Sequence, residues 1–568
     1  MKWNRRSFLK TSAGAVAGMW LTGCRGEYGA ETIVFRNGVV LPVDAAFSEH
    51  TALAIRGNRV LAVGSNEAVA SAAGSGARVI DLAGRTVLPG FIEPHMHFLL
   101  LAGLGHLHDV GPFQRPTFDD ALEALREVRE RTGADEWVMG RQFDPILLEP
   151  PRELTTRELD EISPDRPAFV LNASGHIAYV NSRTLELANI GRDTPDPEGA
   201  QYGRYADGSP NGVLYGAAAH LPVLLMNQSI GDRMRSGFVD AGIQVGEYAA
   251  SLGVTTLCDQ ATGVLGGAAE WERYQQMYAE GRMKARIRAY LFDGKGPEFD
   301  EAGIRPGEGN ALVRVAGWKI VTDGSNQGFT GRQREPYLGR DSRGIFYIEP
   351  EALRGIVRTR AAQGWPLSLH GNGDAAIDSI LDALEHAHDQ GIDVRTLRCR
   401  IEHCSILHDD QIERAEALGI GPSFLINHVH YWGHVMRDKV FGPEKVQLLD
   451  RCGAVEAAGL TWTMHTDAPV SPLGSLHKIR VAVARDLWKE PDTILAPQER
   501  VGVEAAIRAI TRDAAWLSHS ENEIGSLEPG KLADLVVLES DPRAVEPRAI
   551  SDIKVHQTWM DGRQVYGG

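Results

Sequence analysis

The side chains best suited to chemistry are four histidines, a lysine and an aspartate, each set in or just after a short apolar run. Glu93-Pro94-His95-Met96-His97 ends one such run. Residues two apart in a strand face the same side, so His95 and His97 project together. Two imidazoles on one face suit a divalent metal. An HxH pair alone is weak evidence, but later runs supply what it lacks. LSLHGNGD carries His370, CRIEHCS carries His403, and TWTMHTDAP brings in Asp467 beside Pro469. WKIVTDGS buries Lys319 in an apolar run before Asp323 and Gly324. Singly, His403 also reads as a hydrogen-bonded core histidine, and Lys319 as a partner of Asp323. Gathered at one point, the six read as a metal centre, and that requires a fold in which distant strand ends meet.

The rest of the chain has the pattern of such a fold. From Asp119 onward, helical stretches such as FDDALEALREVRERTG alternate with the apolar runs PAFVLNA, VTTLCDQ, RIRAYLF, VAGWKIVTDG, PLSLHG, CRIEHCS and LTWTMHTDA. Strand-helix alternation predicts a parallel sheet, and about eight units predict closure into an α/β fold of the (β/α)₈, TIM-barrel type. In a barrel the C-terminal strand ends form one mouth, where active sites sit. The two chain ends look different. TIVFRNGVVLP and ALAIRGNRVLAVG alternate apolar and polar residues, with Asn37-Gly38 and Gly57-Asn58 as expected hairpin turns. LADLVVLESDP and IKVHQTWMDGRQVY repeat the alternation near the C-terminus. Neither end has enough strands for its own core, so the two are expected to pair as one small β-sandwich-like domain. The expected division is a leader over 1–24, the β-domain over 30–87 and 521–568, and the barrel with insertions over 88–520.

Composition narrows the function further. Hydrophobic residues make up 43% and charged residues 24%, values of a folded globular chain. A formal charge of −16 disfavours nucleic acid as a partner. The leader pairs Arg5 and Arg6 in NRRSFLK, the layout of a twin-arginine signal. The apolar stretch Thr11 to Leu21 is too short to span a bilayer. Leu21-Thr22-Gly23-Cys24 then resembles a lipobox, with Cys24 as the lipidated first residue of the mature chain. The expectation is twin-arginine export to a periplasmic or cell-surface lipoprotein whose membrane contact is the lipid anchor alone. An ordinary cleaved signal with an incidental cysteine is the alternative. Cys258, Cys399, Cys404 and Cys452 form no CxxC pair and read as four buried thiols.

As a set, these motifs resemble the amidohydrolase superfamily, and within it the YtcJ-like branch that includes N-substituted formamide deformylases. The resemblance rests on VLPGFIEPHMH, WKIVTDGS, LHGNGDAAID, RIEHCS, HTDAPVSP and GSLEPGKLADLVVL, with SGHIAYVNSRTLELANI and DGSPNGVLYGAA in support. It implies two divalent ions, one on His95, His97 and Asp467 and one on His370 and His403; the mixed nitrogen and oxygen ligands suit zinc, with iron, manganese or nickel as alternatives. Lys319 is implied to bridge them as a carbamate formed with CO₂. An unmodified lysine, with a pKa of about 10.4, is cationic at neutral pH and cannot ligate. Asp467 is implied as the catalytic proton shuttle. The reaction expected is hydrolysis of a C–N bond in an amide or an N-formyl or N-acyl compound. Hydrolysis of a carboxylic ester or lactone on the same site is the alternative, and a non-catalytic metal-bearing ligand-binding lipoprotein is a further one. Where many relatives carry a serine and small residues, this chain reads NQGFTGRQREPY after WKIVTDGS. The histidine-rich FLINHVHYWGHVMRD is also unusual. His176, Asp323, His428, His430 and Trp432 are therefore the candidate substrate-pocket residues, for a small-molecule substrate in a chain expected to form a homodimer.

The leader generates the first test. Replacing Cys24 by Ser should release soluble protein or stall processing, because each buried CH₂ of an acyl anchor contributes about 0.8 kcal/mol. Unchanged membrane fractionation of that variant would discard the anchor.

Overall fold

The computed structural model describes residues 31–567 apart from 231 and 233–236. The twin-arginine motif, the lipobox and Cys24 lie outside the described residues. Eight parallel strands form the central barrel: Phe91–Met96, Val254–Thr262, Arg286–Phe292, Val313–Val321, Leu367–Gly371, Arg400–His403, Gly421–Phe424 and Thr463–Met464. Each pairs with the next in chain order. The last and first strands meet through residues of the site itself. The His97 N–H donates to the Ala468 carbonyl at 2.8 Å, and the Asp467 N–H to the His95 carbonyl at 3.2 Å.

Alternation along a strand sorts side chains between the barrel interior and the surrounding helices. In the fourth strand Trp318 packs outward, its ring 5.0 Å from Trp365 and 5.9 Å from Phe299. Lys319, the next residue, is buried on the inner side. One assignment of strands is corrected. PAFVLNA is not a barrel strand, and GPSF, Gly421–Phe424, is the seventh. Four residues without a β-branched side chain carry little strand signal, and only pairing on both sides holds them extended.

PAFVLNA belongs instead to a six-stranded sheet inserted between the first two barrel strands. It joins His108–Asp109, Val138–Phe143, Ala168–Asn172, Ile177–Val180, Pro210–Tyr215 and Gln201–Arg204 in that spatial order. The helix Phe118–Arg131 packs on this sheet and starts with a capping box between Thr117 and Asp120. Phe118, Leu125, Val138, Val170 and Val213 give the insertion a core of its own.

The chain ends pair as expected. Thr86–Pro89 lies parallel to Thr32–Val40 and antiparallel to Leu535–Leu538, within one eight-stranded sheet. The sheet curls until the Val60 N–H donates to the Lys531 carbonyl at 2.9 Å. Phe35, Leu53, Val537 and Trp559 are buried in the apolar cluster it encloses. Gly57 turns the hairpin between His50–Arg56 and Arg59–Gly64. Asn37-Gly38 is not a hairpin turn, contrary to expectation. Asn37 takes a left-handed φ of 60° inside a continuing strand, and the strand changes partner there, from Arg78–Asp81 to Thr86–Pro89.

A buried ion pair joins this sheet to the barrel. Arg286 donates from Nε to Asp534 Oδ2 at 2.6 Å and from Nη2 to Oδ1 at 2.8 Å. Asp534→Ala removes the bidentate partner and leaves the buried guanidinium only Asp561 Oδ1, at 3.2 Å, as a carboxylate, and should lower stability by up to about 3–5 kcal/mol in denaturant titration. Adding Arg286→Met should recover part of the loss. A single variant as stable as the parent would show the pair to be dispensable.

Candidate metal centre and active site

The barrel mouth brings the six candidate ligands close together. Asp467 Oδ1 stands 3.1 Å from His95 Nε2 and 3.1 Å from His97 Nε2, and its Oδ2 lies 3.9 Å from His403 Nδ1. The ring of His403 is 4.9 Å from that of His95 and 4.3 Å from that of His370. His403 Nε2 and His370 Nδ1 share a 2.9 Å hydrogen bond. Two of these residues have left-handed backbone, His403 at φ 72° and Asp467 at φ 55°. Such strain persists where the surroundings over-determine it, and it is concentrated at functional sites.

Electrostatics sets the protonation states. Burial drives His370 and His403 well below the ordinary histidine range, leaving neutral imidazoles with lone pairs free for a cation. Burial pushes the Asp467 carboxyl up, but His95 and His97 outweigh it and hold the group well below the usual carboxylate range. Lys319 is lowered to about 8 by burial, against the pull of Glu402 and Asp467.

Whether these residues fit a metal can be read from what they leave unpaired. His95 Nε2, His97 Nδ1, His403 Nδ1, Lys319 Nζ and Asp467 Oδ1 are all buried without a hydrogen-bond partner. An unmade buried hydrogen bond costs about 1–3 kcal/mol, so such a cluster would be expensive unless a ligand satisfies it. Ligand atoms of His95, His403 and Asp467 also converge within 4.8 Å of one another. The residues therefore fit a divalent ion. His370 is less available, because its Nε2 lies 3.1 Å from the Gly324 carbonyl and 3.0 Å from Asn372 Nδ2.

Sequence reading overlooked Glu402. Its Oε2 accepts from His95 Nδ1 at 2.7 Å, and Arg400 Nη2 donates to the same oxygen at 3.0 Å. That fixes which His95 nitrogen faces Asp467. The available signal was a carboxylate between Arg400 and His403 in one short strand. His465, two residues before Asp467, is fully buried and stacks on His95 with centroids 4.4 Å apart.

A cavity of about 770 Å³ opens above the ligands. Its walls are mainly aliphatic, with Leu100, Leu104, Leu221, Leu224, Val264 and Ile356 among them. His97, His176, His220, Gln142 and Gln260 supply polar atoms. Of the candidate pocket residues, His176 lines this cavity and the others do not. Asp323 accepts from the backbone N–H groups of Asn372, Gly373 and Arg332 at 2.8–3.0 Å, so its carboxylate holds loops together. His428 is buried, 3.2 Å from Ser405 Oγ. His430 donates to the Asp486 carbonyl at 2.8 Å and packs on His477. Trp432 donates to Asp144 of the insertion at 2.7 Å. The histidine-rich segment thus packs against the insertion and the Asp486 backbone and does not line this cavity.

Fold and site together point to one class of protein. A family model described as "Amidohydrolase family" matches residues 78–566, and the chain belongs to that family. Among curated relatives, "Protein LONG AFTER FAR-RED 3" of Arabidopsis thaliana is 28% identical, covering 99% of this chain and 94% of that protein. "N-substituted formamide deformylase" of Arthrobacter pascens is 29% identical, covering 93% and 96%. Among solved structures, an uncharacterized metal-dependent hydrolase from Pyrococcus horikoshii superposes with a TM-score of 0.71 at 23% identity. It covers 91% of this chain and 99% of its own, and shares the fold.

Glu402 supplies the test of this geometry. Glu402→Gln removes the ionised acceptor from His95 Nδ1, and metal affinity should fall about 10- to 100-fold in chelator competition followed by elemental analysis. Unchanged affinity would mean that Glu402 does not orient the ligand.

Proposed function

We propose that the chain hydrolyses the C–N bond of an N-formyl or other N-acyl compound bearing a bulky apolar substituent. The observation that carries this reading is the position of Asp467. Its carboxylate is 3.1 Å from both His95 and His97, and His97 lines a cavity with largely aliphatic walls. The likeness to a protein named N-substituted formamide deformylase supports the same bond type. A divalent ion on His95, His97, His403 and Asp467, zinc by the nitrogen and oxygen donor set and paired with a second towards His370, would polarise the acyl oxygen and acidify a water.

The chain's own residues do the rest. Asp467, ionised and half-screened by two imidazoles, accepts the proton of the attacking water and delivers it to the departing nitrogen. An amine leaves far more readily than an amide anion, so this transfer governs the rate of C–N cleavage. Lys319, lowered to about 8 by burial, would on reaction of its neutral amine with CO₂, with loss of a proton, become a carbamate and supply an anionic ligand to the centre. The aliphatic walls bind the substituent and keep bulk water from the acyl carbon. The proposal extends to twin-arginine export, a lipid anchor on Cys24 and a homodimer.

The metal-loaded enzyme should hydrolyse N-alkyl formamides with large apolar groups, lose activity to a chelator and regain it with zinc. Turnover of matched esters but not amides would replace the reading by ester or lactone hydrolysis, and turnover of neither would end it. Asp467→Asn should reduce amide turnover by about 10²- to 10⁴-fold. The loss on activated esters should be smaller, because their leaving group depends less on protonation. Near-normal amide rates in that variant, with loss in His465→Asn, would move the proton shuttle to His465.

A further inference from the structure

The insertion sends one imidazole into the mouth of the barrel. His176 sits at the tip of the hairpin between Ala168–Asn172 and Ile177–Val180. Its ring is 4.9 Å from that of His370, edge-on, and 5.8 Å from that of Tyr347. It lines the cavity together with His97 but belongs to neither group whose ligand atoms converge.

The backbone around it is firmly held. The His176 N–H donates to Ser174 Oγ at 3.2 Å, and its carbonyl accepts from the Gly216 N–H at 2.8 Å. Ser174 is in turn tied through its N–H to Asn172 Oδ1 at 2.8 Å, and Asn172 Nδ2 donates to the Tyr179 hydroxyl at 3.0 Å. Gly175 completes the turn with a left-handed φ of 72°. A ring mounted this rigidly has little freedom to leave the mouth.

A second observation points to a ligand on the same wall. His220, on the helix Ala217–Leu225, lines the cavity and is only 3% exposed, and its ring nitrogens find no side-chain partner. The Gly175 backbone adjoins it. The insertion thus presents hydrogen-bonding capacity to the cavity that the protein does not itself consume.

We propose that His176 is a catalytic residue whose imidazole N–H donates to the acyl oxygen of the bound substrate. The inference rests on the C–N hydrolysis proposed above. A neutral imidazole carries one N–H, and the tautomer with that proton on the nitrogen facing the oxygen supplies the donor. During reaction the water oxygen bonds to the acyl carbon and the C–N bond breaks. Asp467 carries the proton from water to nitrogen, while His176 keeps its own proton. Its bond to oxygen strengthens as charge collects there, which is the condition for accelerating the step.

His176→Ala and His176→Asn test this in the metal-loaded enzyme. The alanine variant should lose about 10²- to 10³-fold in kcat, the usual loss for one oxyanion donor, with KM changed little. The asparagine variant keeps an N–H and should recover at least tenfold of that loss. Metal content by elemental analysis should match the parent in both. Calorimetry with a phosphonamidate analogue of the tetrahedral intermediate, and with the apolar amine product, separates this inference from the reaction class. The analogue should bind the alanine variant at least tenfold more weakly while the amine binds equally well, whether or not the parent turns over any amide tried. Failure of the parent on both amides and esters would remove the proposed reaction and leave the analogue result to decide on His176. An alanine variant with kcat within threefold of the parent, with reduced metal content, or with equal loss of analogue and amine affinity would overturn the assignment.

Discussion

A carboxylate buried beside a guanidinium holds the barrel mouth in order. Arg400 donates to Glu402, to Ser423 Oγ and to the Pro94 carbonyl, each at 3.0 Å. Glu402 uses its other lone pairs on His95 Nδ1 and Ser368 Oγ, both at 2.7 Å. A second pair lies nearby, where Lys478 donates to Glu93 Oε2 at 2.8 Å and the Thr466 N–H to Oε1 at 3.0 Å. Apolar residues of equal volume would stabilise a barrel as well or better than desolvated charges. What the charges add is direction. Glu402 and Glu93 reach, respectively, a ligand side chain and the backbone one residue before Asp467, so each ionic contact also fixes where a ligand points.

The same residues close the barrel. Between the last and first strands the ring is joined by backbone bonds from His97 to Ala468 and from Asp467 to His95. Those ladder rungs are the ligand positions themselves. Barrel closure and assembly of the site are therefore one event, and the left-handed φ of 55° at Asp467 is held by that seam. The insertion fastens it from above, where Gln142 donates to the Pro469 carbonyl at 2.6 Å.

Much of this was legible in the sequence because strand periodicity is strict. His95 and His97 two apart, Lys319 after outward-facing Trp318, and His370 and Asp467 after apolar runs could all be placed by the rule of two. Glu402 escaped because that rule fails locally. Consecutive residues of a strand should face opposite ways, yet both Glu402 and His403 reach His95, since His403 has φ 72°. GPSF escaped because its extended backbone comes from its neighbours. PAFVLNA misled for the opposite reason, since a good strand sequence does not say which sheet it joins. His428, His430 and Trp432 misled because polar and aromatic atoms signal a site only when left unpartnered, which depends on residues as distant as Asp144 and Asp486.

Barrel and insertion then divide the work by chemistry. Among the ligands, the His97 side chain is 22% exposed and Asp467 9%, whereas His95 is fully buried. A substrate therefore meets the centre on the His97 and Asp467 side, beneath the wall that carries His176 and His220. The candidate ligands come from barrel strands and their ends, while the aliphatic lining comes largely from the helix after the first strand and from the insertion. The overall charge of −16 has little hold on this chamber, because exposed charges beyond about 10 Å are screened by salt. Selection among substrates falls to the shape of the apolar walls. A hydrophobic pocket discriminates by only about 1–3 kcal/mol per methylene, so walls of this kind separate apolar groups only weakly by size.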